Sequence, residues 1–536
     1  MSQIETNTTP IPATSRLNRS ATFSRDIGLV PAISFALNAV GLALGGILPF
    51  AVFAGLFPGV NLLQIVVVAL GVSLVFGTIY SAIGGLVPYN GAEYVLMTRI
   101  FGGAVGFSIS FAMVLFLALS AGAIISMLAK LVAPGLLIGL GLIQGSTAVD
   151  LGASISQTGT AVIITTALVA LAFALAILPR RLIRLVLAIG TVVTIVAWVW
   201  MIINLLGVSG SQFPPAWDQA MGLENFVSRI RAAEEVGLPF FQDPLLGILA
   251  GGALSLWLFF GSFSLVNVSG EMKNPGRDLP LSHLVSVLIA GGLMVGTVIV
   301  LRNMILPTWF SAESYLFLRG GEKLSMPWVF FYSAIFTKFP GFLMVMLFTW
   351  LLGFINLLQT IFYYASRIMW AWGKDQVFQE GLSLVHPSWR SPLLATLLFA
   401  IVVQVGVIIA MQIPQLFLSR SYIAPLMALM ILPLVAVVVA AFKKPRWFTR
   451  ATGIARWKIG RVPVISILAA LGIVYLAASL VLMANGRLGI MLFTRGDVGL
   501  IVLFYIIGFA WYAGRRSWLN RSQVHLDDTF RQMPQE

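Results

Sequence analysis

The sequence of 536 residues has no cysteine, which excludes disulfides, thiolate chemistry and cysteine-ligated metals. Charge is nearly as scarce. Asp, Glu, Lys and Arg make up 10% of the chain against 59% hydrophobic residues, and the mean hydropathy is +0.96. That leaves too little polar surface to cover a soluble globule, so the chain is an integral membrane protein. Histidine is rare as well: His283, His386 and His525 read as loop residues with no carboxylate at ligand spacing. Neither an acid–base pair nor a metal site is expected, and the chain does not read as an enzyme. A filter sequence and rings of charge are also missing, which disfavours a channel.

Long apolar runs are what the sequence has in abundance. A membrane-crossing helix needs ~20 apolar residues, and twelve such runs start near Leu29, Leu62, Ala104, Gly159, Leu185, Pro244, Leu284, Gly341, Ser391, Ser421, Val464 and Val498. They are continuous, without the period-two alternation of a membrane barrel, so the expected fold is an all-α polytopic bundle.

Twelve spans place both termini on one side. With that side inside, roughly two-thirds of the 33 Lys and Arg fall on the inner face while acidic residues divide evenly, as the positive-inside rule requires. The net charge of +14 is thereby spread over one membrane face, so the expected partner is the lipid bilayer and not nucleic acid. Residues 1–25, rich in Ser, Thr, Asn and Pro, read as a disordered cytoplasmic tail and not as a signal peptide. Residues 26–442 form a ten-helix core, 443–462 a basic inner loop that anionic lipid would also suit, 463–514 two further helices, and 515–536 a cytoplasmic tail. On the outer side, Trp217, Met221, Phe226 and Ile230 have near-helical spacing, and Met326 to Phe336 is similarly aromatic. Both segments are expected to lie at the interface, as lipid anchors or as caps over a vestibule.

The first five spans and the next five open alike. Small and polar residues interrupt the first at Leu37-Asn38-Ala39-Val40-Gly41 and the sixth at Gly261-Ser262-Phe263-Ser264. Helices broken at corresponding positions free backbone groups that can hold a substrate at the midplane, which is how secondary carriers build their sites. Helix N-termini there would attract a carboxylate. The alternative is that Gly and Ser allow close helix packing.

Four stretches give the chain a family likeness. After span six come Gly261, Glu271-Met272-Lys273-Asn274-Pro275, Arg277 and Pro280. Between spans two and three stand Pro88-Tyr89-Asn90-Gly91-Ala92-Glu93-Tyr94 and Phe101-Gly102. Ser366-Arg367 and Lys374-Asp375-Gln376 follow span eight, and Ser24-Arg25-Asp26 precedes span one. From about Asp26 to Arg390 the chain resembles the amino acid/polyamine/organocation (APC) superfamily of permeases. It departs from that pattern at Gln376, where the family has Gly, and at Leu37-Asn38-Ala39, where the family has a Gly-x-Gly break.

The resemblance implies a LeuT-like five-plus-five inverted repeat with helices one and six broken and two extra helices. The implied function is secondary transport of amino acids, neutral ones, across the cytoplasmic membrane by alternating access. A carrier of another organic amine, a choline-like compound or a nucleobase on the same fold is the alternative. Backbone at Asn38, Ala39, Val40 and Gly41 would receive the substrate carboxylate, and backbone near Phe259, Phe260 and Gly261 would accept the α-ammonium, with Ser262 also in the substrate site. Trp257 would stand over the substrate, and Phe263 replaces an acid that carriers of dibasic substrates have. Glu93, Glu271 and Arg367 are candidates for an inner gate, with solvated loop charges as the simpler reading, and Asn356 is a candidate coupling residue beside Gln359 and Thr360. No cofactor is implied. Coupling to protons or sodium and the oligomeric state stay open.

Overall fold

The computed structural model describes residues 23–42, 50, 52–144, 148–222, 225–239, 244–319, 326–337, 341–412, 420–484 and 493–534. Residues 1–22 of the N-terminal tail thus lie outside the described residues. In chain order the helices are α1 (Leu29–Val40), α2 (Leu62–Leu86), α3 (Ala92–Phe101), α4 (Gly103–Met127), α5 (Ala133–Gln144), α6 (Ala148–Ser156), α7 (Thr158–Ala176), α8 (Arg180–Leu206), α9 (Phe213–Met221) and α10 (Asn225–Glu235). They continue as α11 (Pro244–Phe263), α12 (Pro275–Met304), α13 (Pro307–Arg319), α14 (Val329–Phe336), α15 (Phe342–Lys374), α16 (Leu393–Gln412), α17 (Arg420–Lys443), α18 (Pro445–Arg450), α19 (Val464–Ala484) and α20 (Arg495–Arg521). Among the described residues, ten helices are long and apolar enough to cross a bilayer. The twelve-residue α1 and the twenty-residue α11 occupy the remaining two expected positions.

Each span sorts its residues by what surrounds it. In α8, Ile189, Val192, Val196, Val199 and Ile203 are exposed and apolar, while Leu187, Gly190, Thr191, Thr194, Trp198 and Met201 are buried. The stripe that a soluble helix would fill with charges is therefore hydrocarbon, and the small and hydroxylated residues face neighbouring helices.

Several elements begin earlier or run longer than hydropathy indicates. α12 starts at Pro275, with the proline in the first turn where its missing N–H costs nothing, so His283 lies on the helix and not in a loop. It is buried against α2, its Nε2 3.0 Å from the Ser73 carbonyl oxygen and its ring tilted on Phe263. Residues 443–463 fold into α18, a 3-10 turn and a two-stranded hairpin that pairs Lys458 with Pro463. Helix α20, opened by a Thr494–Asp497 capping box, continues to Arg521. The segment beyond it folds back, with Phe530 buried beside Arg99 and the Gln532 carbonyl accepting from Arg99 Nε at 3.2 Å.

Of the segments expected at the interface, Met326 to Phe336 is largely buried, and in the first Trp217 is buried while Met221, Phe226 and Ile230 are half-buried. Phe213 and Trp217 of α9 are fully enclosed by Trp309 of α13 and Phe331 and Tyr332 of α14, so they cap the bundle.

Candidate functional site

Helix α1 is regular through Asn38, Ala39 and Val40 and turns left-handed only at Gly41, φ 71°. Asn38 stays helical because its side chain is already satisfied: Nδ2 donates to the carbonyls of Ser34 and Leu187 and to Thr191 Oγ1 at 2.7–2.9 Å. It therefore ties α1 to α8 and does not face α11. Asn356 of α15 joins the same seam, its Nδ2 3.4 Å from the Val186 carbonyl. Ala39, by contrast, meets the sixth span directly. A Cβ placed on Gly261 would overlap the Ala39 carbonyl, so the two interrupted spans cross in backbone contact.

Helix α11 also runs further than expected, through Gly261, Ser262 and Phe263, before tightening into 3-10 turns at Ser264–Asn267 and Ser269–Glu271. Ser262 Oγ donates to the Phe259 carbonyl and Ser264 Oγ to that of Gly261, quieting two acceptors beside the break. The helix includes Trp257 and Phe260, whose side chains lie outside the described residues. Phe263 stacks on Tyr80 with ring centres 5.3 Å apart.

The four motifs meet around the segment that follows this break. Ile27 donates to the Glu271 carbonyl and accepts from the Lys273 N–H, joining the entry to α1 with the entry to α12. From the other side Asn90 bridges Val268, and the Gly91 N–H donates to the Asn267 carbonyl at 2.8 Å. Gly91 is left-handed, φ 69°, and a side chain there would press on the backbone of α15 at Arg367 and Ile368.

At the centre lies Glu271, fully buried. Arg367 Nε donates to one carboxylate oxygen at 2.9 Å, and the Tyr363 hydroxyl donates to the other at 2.7 Å. Arg180 Nη2 lies 2.8 Å from that second oxygen, a contact of charges outside hydrogen-bond alignment. Its Nη1 donates to Ser24 and Asp26 at 2.6–2.9 Å, and Phe23 covers both guanidinium groups. Four chain segments are thus locked around one carboxylate, and neither Glu271 nor Arg367 is a solvated loop charge. Arg180 had counted only as a basic residue of the inner face. Its position at the first residue of α8, where a helix disfavours a cation, is the signal that it needed an anionic partner.

Glu93 is buried too, but it does not pair with Arg99, which forms a two-pronged pair with Asp375 at 2.5 and 2.9 Å. Asn267 Nδ2 donates to Glu93 at 2.5 Å, and the Tyr80 hydroxyl faces the same carboxylate. Burial pushes the Glu93 carboxyl up to about 7, with the Asn267 hydrogen bond and the nearby Tyr80 hydroxyl opposing. Glu93 lines a cavity of about 30 Å³ with Tyr80, Phe263, Ser264, Asn267 and Tyr364, closed by apolar residues of α4 and α17. That is room for roughly two water molecules. Tyr80, Asn267 and Tyr364 were not expected in the site; each is a hydroxyl or amide set among apolar residues of a span or its exit.

On the opposite face, Arg229 of α10 and Glu313 of α13 are buried together, 3.3 Å apart, and the Met326 N–H donates to Glu313. Burial raises the Glu313 carboxyl to about 7 despite Arg229. Among the described residues no cluster of His, Asp and Glu could hold a metal ion.

Apolar spans, two interrupted helices in backbone contact and a buried ion-pair lock on the segment beside them define a multi-pass membrane permease. The chain belongs to the amino acid permease family, whose model matches residues 27–509. It is 24% identical over 283 residues to a branched-chain amino acid permease of Bacillus subtilis, covering 53% of this chain and 54% of that protein. A chloroplastic cationic amino acid transporter of Arabidopsis thaliana is 25% identical over 150 residues, 28% of this chain and 24% of the relative. A methylthioribose transporter of Bacillus subtilis is 21% identical over 164 residues, 31% and 32% of the two chains. The matched stretches thus span about half or less of these relatives' lengths.

Proposed function

We propose that the chain is a secondary carrier that moves neutral amino acids with aliphatic side chains across the cytoplasmic membrane by alternating access. The face bearing Asp26, Glu271 and Arg367 is then the cytoplasmic one, with both termini on it, and the core of residues 26–442 is the transporting unit. The observation that carries the reading is the meeting of α1 and α11 at Ala39 and Gly261, with the Glu271 lock on the very segment that leaves the break. A carrier must close one face while the other opens, and a carboxylate shared by several mobile segments closes a face reversibly. The cavity is too small for a leucine side chain as it stands, but Met97, Met113, Val114 and Leu117 in its wall would give an apolar lining to a site that widened there, in keeping with the branched-chain relative. In this reading, Asn38 and Asn356 hold α1 and α15 to α8, while the backbone beside Gly41 and Gly261 meets the substrate.

Reconstituted protein should accumulate or exchange labelled leucine or isoleucine, and the same compounds should raise its melting temperature, because binding stabilises the folded state. Response to arginine without response to leucine would overturn the neutral assignment and point to Glu93 as partner of a cationic side chain. Response to an organic amine or nucleobase alone would overturn the amino acid class.

A further inference from the structure

We infer that Glu93 is the proton-binding residue of this carrier, charged and neutral in turn as the segment after the α11 break moves. The inference builds on the amino-acid carrier reading and adds its coupling ion and the atom that binds it.

Glu93 differs in what faces it from Glu271, Asp375 and Glu313, the buried carboxylates held by arginines, and, unlike Asp278 and Asp497 in the first turns of α12 and α20, it lines a cavity. Glu271 has Arg180 and Arg367, Asp375 has Arg99, and Glu313 has Arg229. Glu93 has only uncharged groups beside it: the Asn267 amide donates to it, and the Tyr80 hydroxyl, buried and not engaged in a hydrogen bond of its own, lies close by. A carboxylate fixed by a guanidinium stays charged, whereas one held by neutral donors in a dry wall sits near balance between its two forms. Both forms can be satisfied at this site. The carboxylate accepts from Asn267 and can accept from the Tyr80 hydroxyl; once protonated, its O–H can donate to Tyr80 Oη while the other oxygen keeps the Asn267 bond.

The surroundings leave the titration to this one group. Tyr80 of α2 and Tyr364 of α15 are the titratable side chains that face it. From α4 and α17 the cavity is lined by Ser110, Met113 and Leu426, which do not titrate. On its own helix Arg99 is committed to Asp375, and on the 264–271 segment Glu271 is committed to its two arginines. The first turn of α3 favours the charged form and burial the neutral one; the balance, about 7, is reached within the physiological range. Position supplies the coupling: Asn267, which holds Glu93, is four residues before Glu271, so a change at one is felt at the lock.

The test compares wild type with Glu93→Gln in proteoliposomes, using labelled leucine under an inward proton gradient and in counterflow, with an infrared pH titration of the protonated-carboxyl band. The expected result is that wild type accumulates leucine, while the variant accumulates none and exchanges it at a pH-independent rate. Glu313 titrates in the same range in both proteins, so the reading is the wild-type-minus-variant difference spectrum, which should hold one carboxyl band titrating near pH 7. Gradient-driven accumulation by the variant, or a difference spectrum without that band, overturns the proposal. If wild type moves no leucine in either assay, the leucine-carrier reading falls separately and the infrared comparison alone decides Glu93. Should the variant fail to fold, Tyr80→Phe removes the nearby hydroxyl that favours the charged form of Glu93, so the band's midpoint must move up. An unmoved midpoint overturns the proposal.

Discussion

The two faces of the bundle are closed by different physics. On the Asp26 face, Glu271, Arg367, Arg180 and Tyr363 hold segments from distant parts of the chain through charge and hydrogen bonds. On the opposite face Phe213, Trp217, Trp309 and Tyr332 interlock beside the Arg229–Glu313 ion pair, with Phe226 and Trp309 stacked at 4.7 Å. Buried ion pairs gain little net free energy, because desolvation consumes most of the attraction; opening such a contact to water costs little once both partners are rehydrated. Aromatic rings bury roughly 150–250 Å² each, and exposing them costs about 25 cal/mol per Å² with no compensation from water. Under the proposed alternating access, the ionic face is therefore the one expected to part and re-form, and the aromatic face to move as a packed lid.

Removing the shared carboxylate should break this comparison most severely. Glu271→Gln leaves Arg180 and Arg367 facing a neutral group, and stranding buried charges costs about 3–5 kcal/mol. The loss should fall on the conformation closed at the Asp26 face. Because the chain has no native cysteine, a cysteine introduced at Ile368, buried in the cavity wall, gives a clean reading. Its labelling by an impermeant thiol reagent from the Asp26 face should rise sharply in the Glu271→Gln background, and net uptake should fall with it. Equal labelling in the two backgrounds would mean that the Glu271 cluster is a strut and not a gate.

Trimming the lid should give the opposite pattern. Phe213 is fully buried among Trp217, Trp309 and Tyr332, and Phe213→Leu loses ring contacts worth about 1–2 kcal/mol. The expected outcome is a lower melting temperature, with uptake per folded molecule and labelling at Ile368 both preserved. If labelling rose as it does for Glu271→Gln, the two closures would be one device and the contrast between them would fail.

How far the sequence carries this picture depends on distance along the chain. The apolar runs announce the spans because nothing else in a protein needs so many consecutive hydrophobic residues. The motifs around Asp26, Glu93, Glu271 and Arg367 stand out individually, but their convergence on one segment does not, since charges at positions 26, 180, 271 and 367 share no local pattern. Arg180 is hidden by its success as a positive-inside residue, which a charge count treats as a loop. His283 is misplaced because hydropathy starts the span at Leu284, whereas Pro275 starts the helix. Asn38 reads as a helix breaker by composition; its amide finds acceptors on α8, a tertiary fact that overrides the local one. The Gly261 position was legible only as two alternatives, a binding break or a packing contact; the structure shows its close approach to the Ala39 carbonyl, which does not choose between them.

The departure at Gln376 gives the finest test, because there the family pattern carries a physical reason that the structure exposes. Gln376 follows the end of α15 and Asp375, at φ 60°, a left-handed position that costs a residue with a Cβ roughly 1–2 kcal/mol. A glycine pays no such strain, which explains the glycine of the related pattern. The turn tolerates Gln because its neighbours pin it: Arg515 Nε donates to the Gln376 carbonyl at 3.0 Å and Trp511 Nε1 to that of Val377. Both bonds use backbone acceptors and survive loss of the side chain. Gln376→Gly should therefore stabilise the protein by about 0.5–1 kcal/mol, the relieved strain less the added freedom of the unfolded chain. The melting temperature should rise slightly, with the neighbouring Arg99–Asp375 pair intact and uptake unchanged. A fall instead would mean that the Gln376 side chain itself braces the Asp26 face, and that the ionic closure extends past Asp375 into α20.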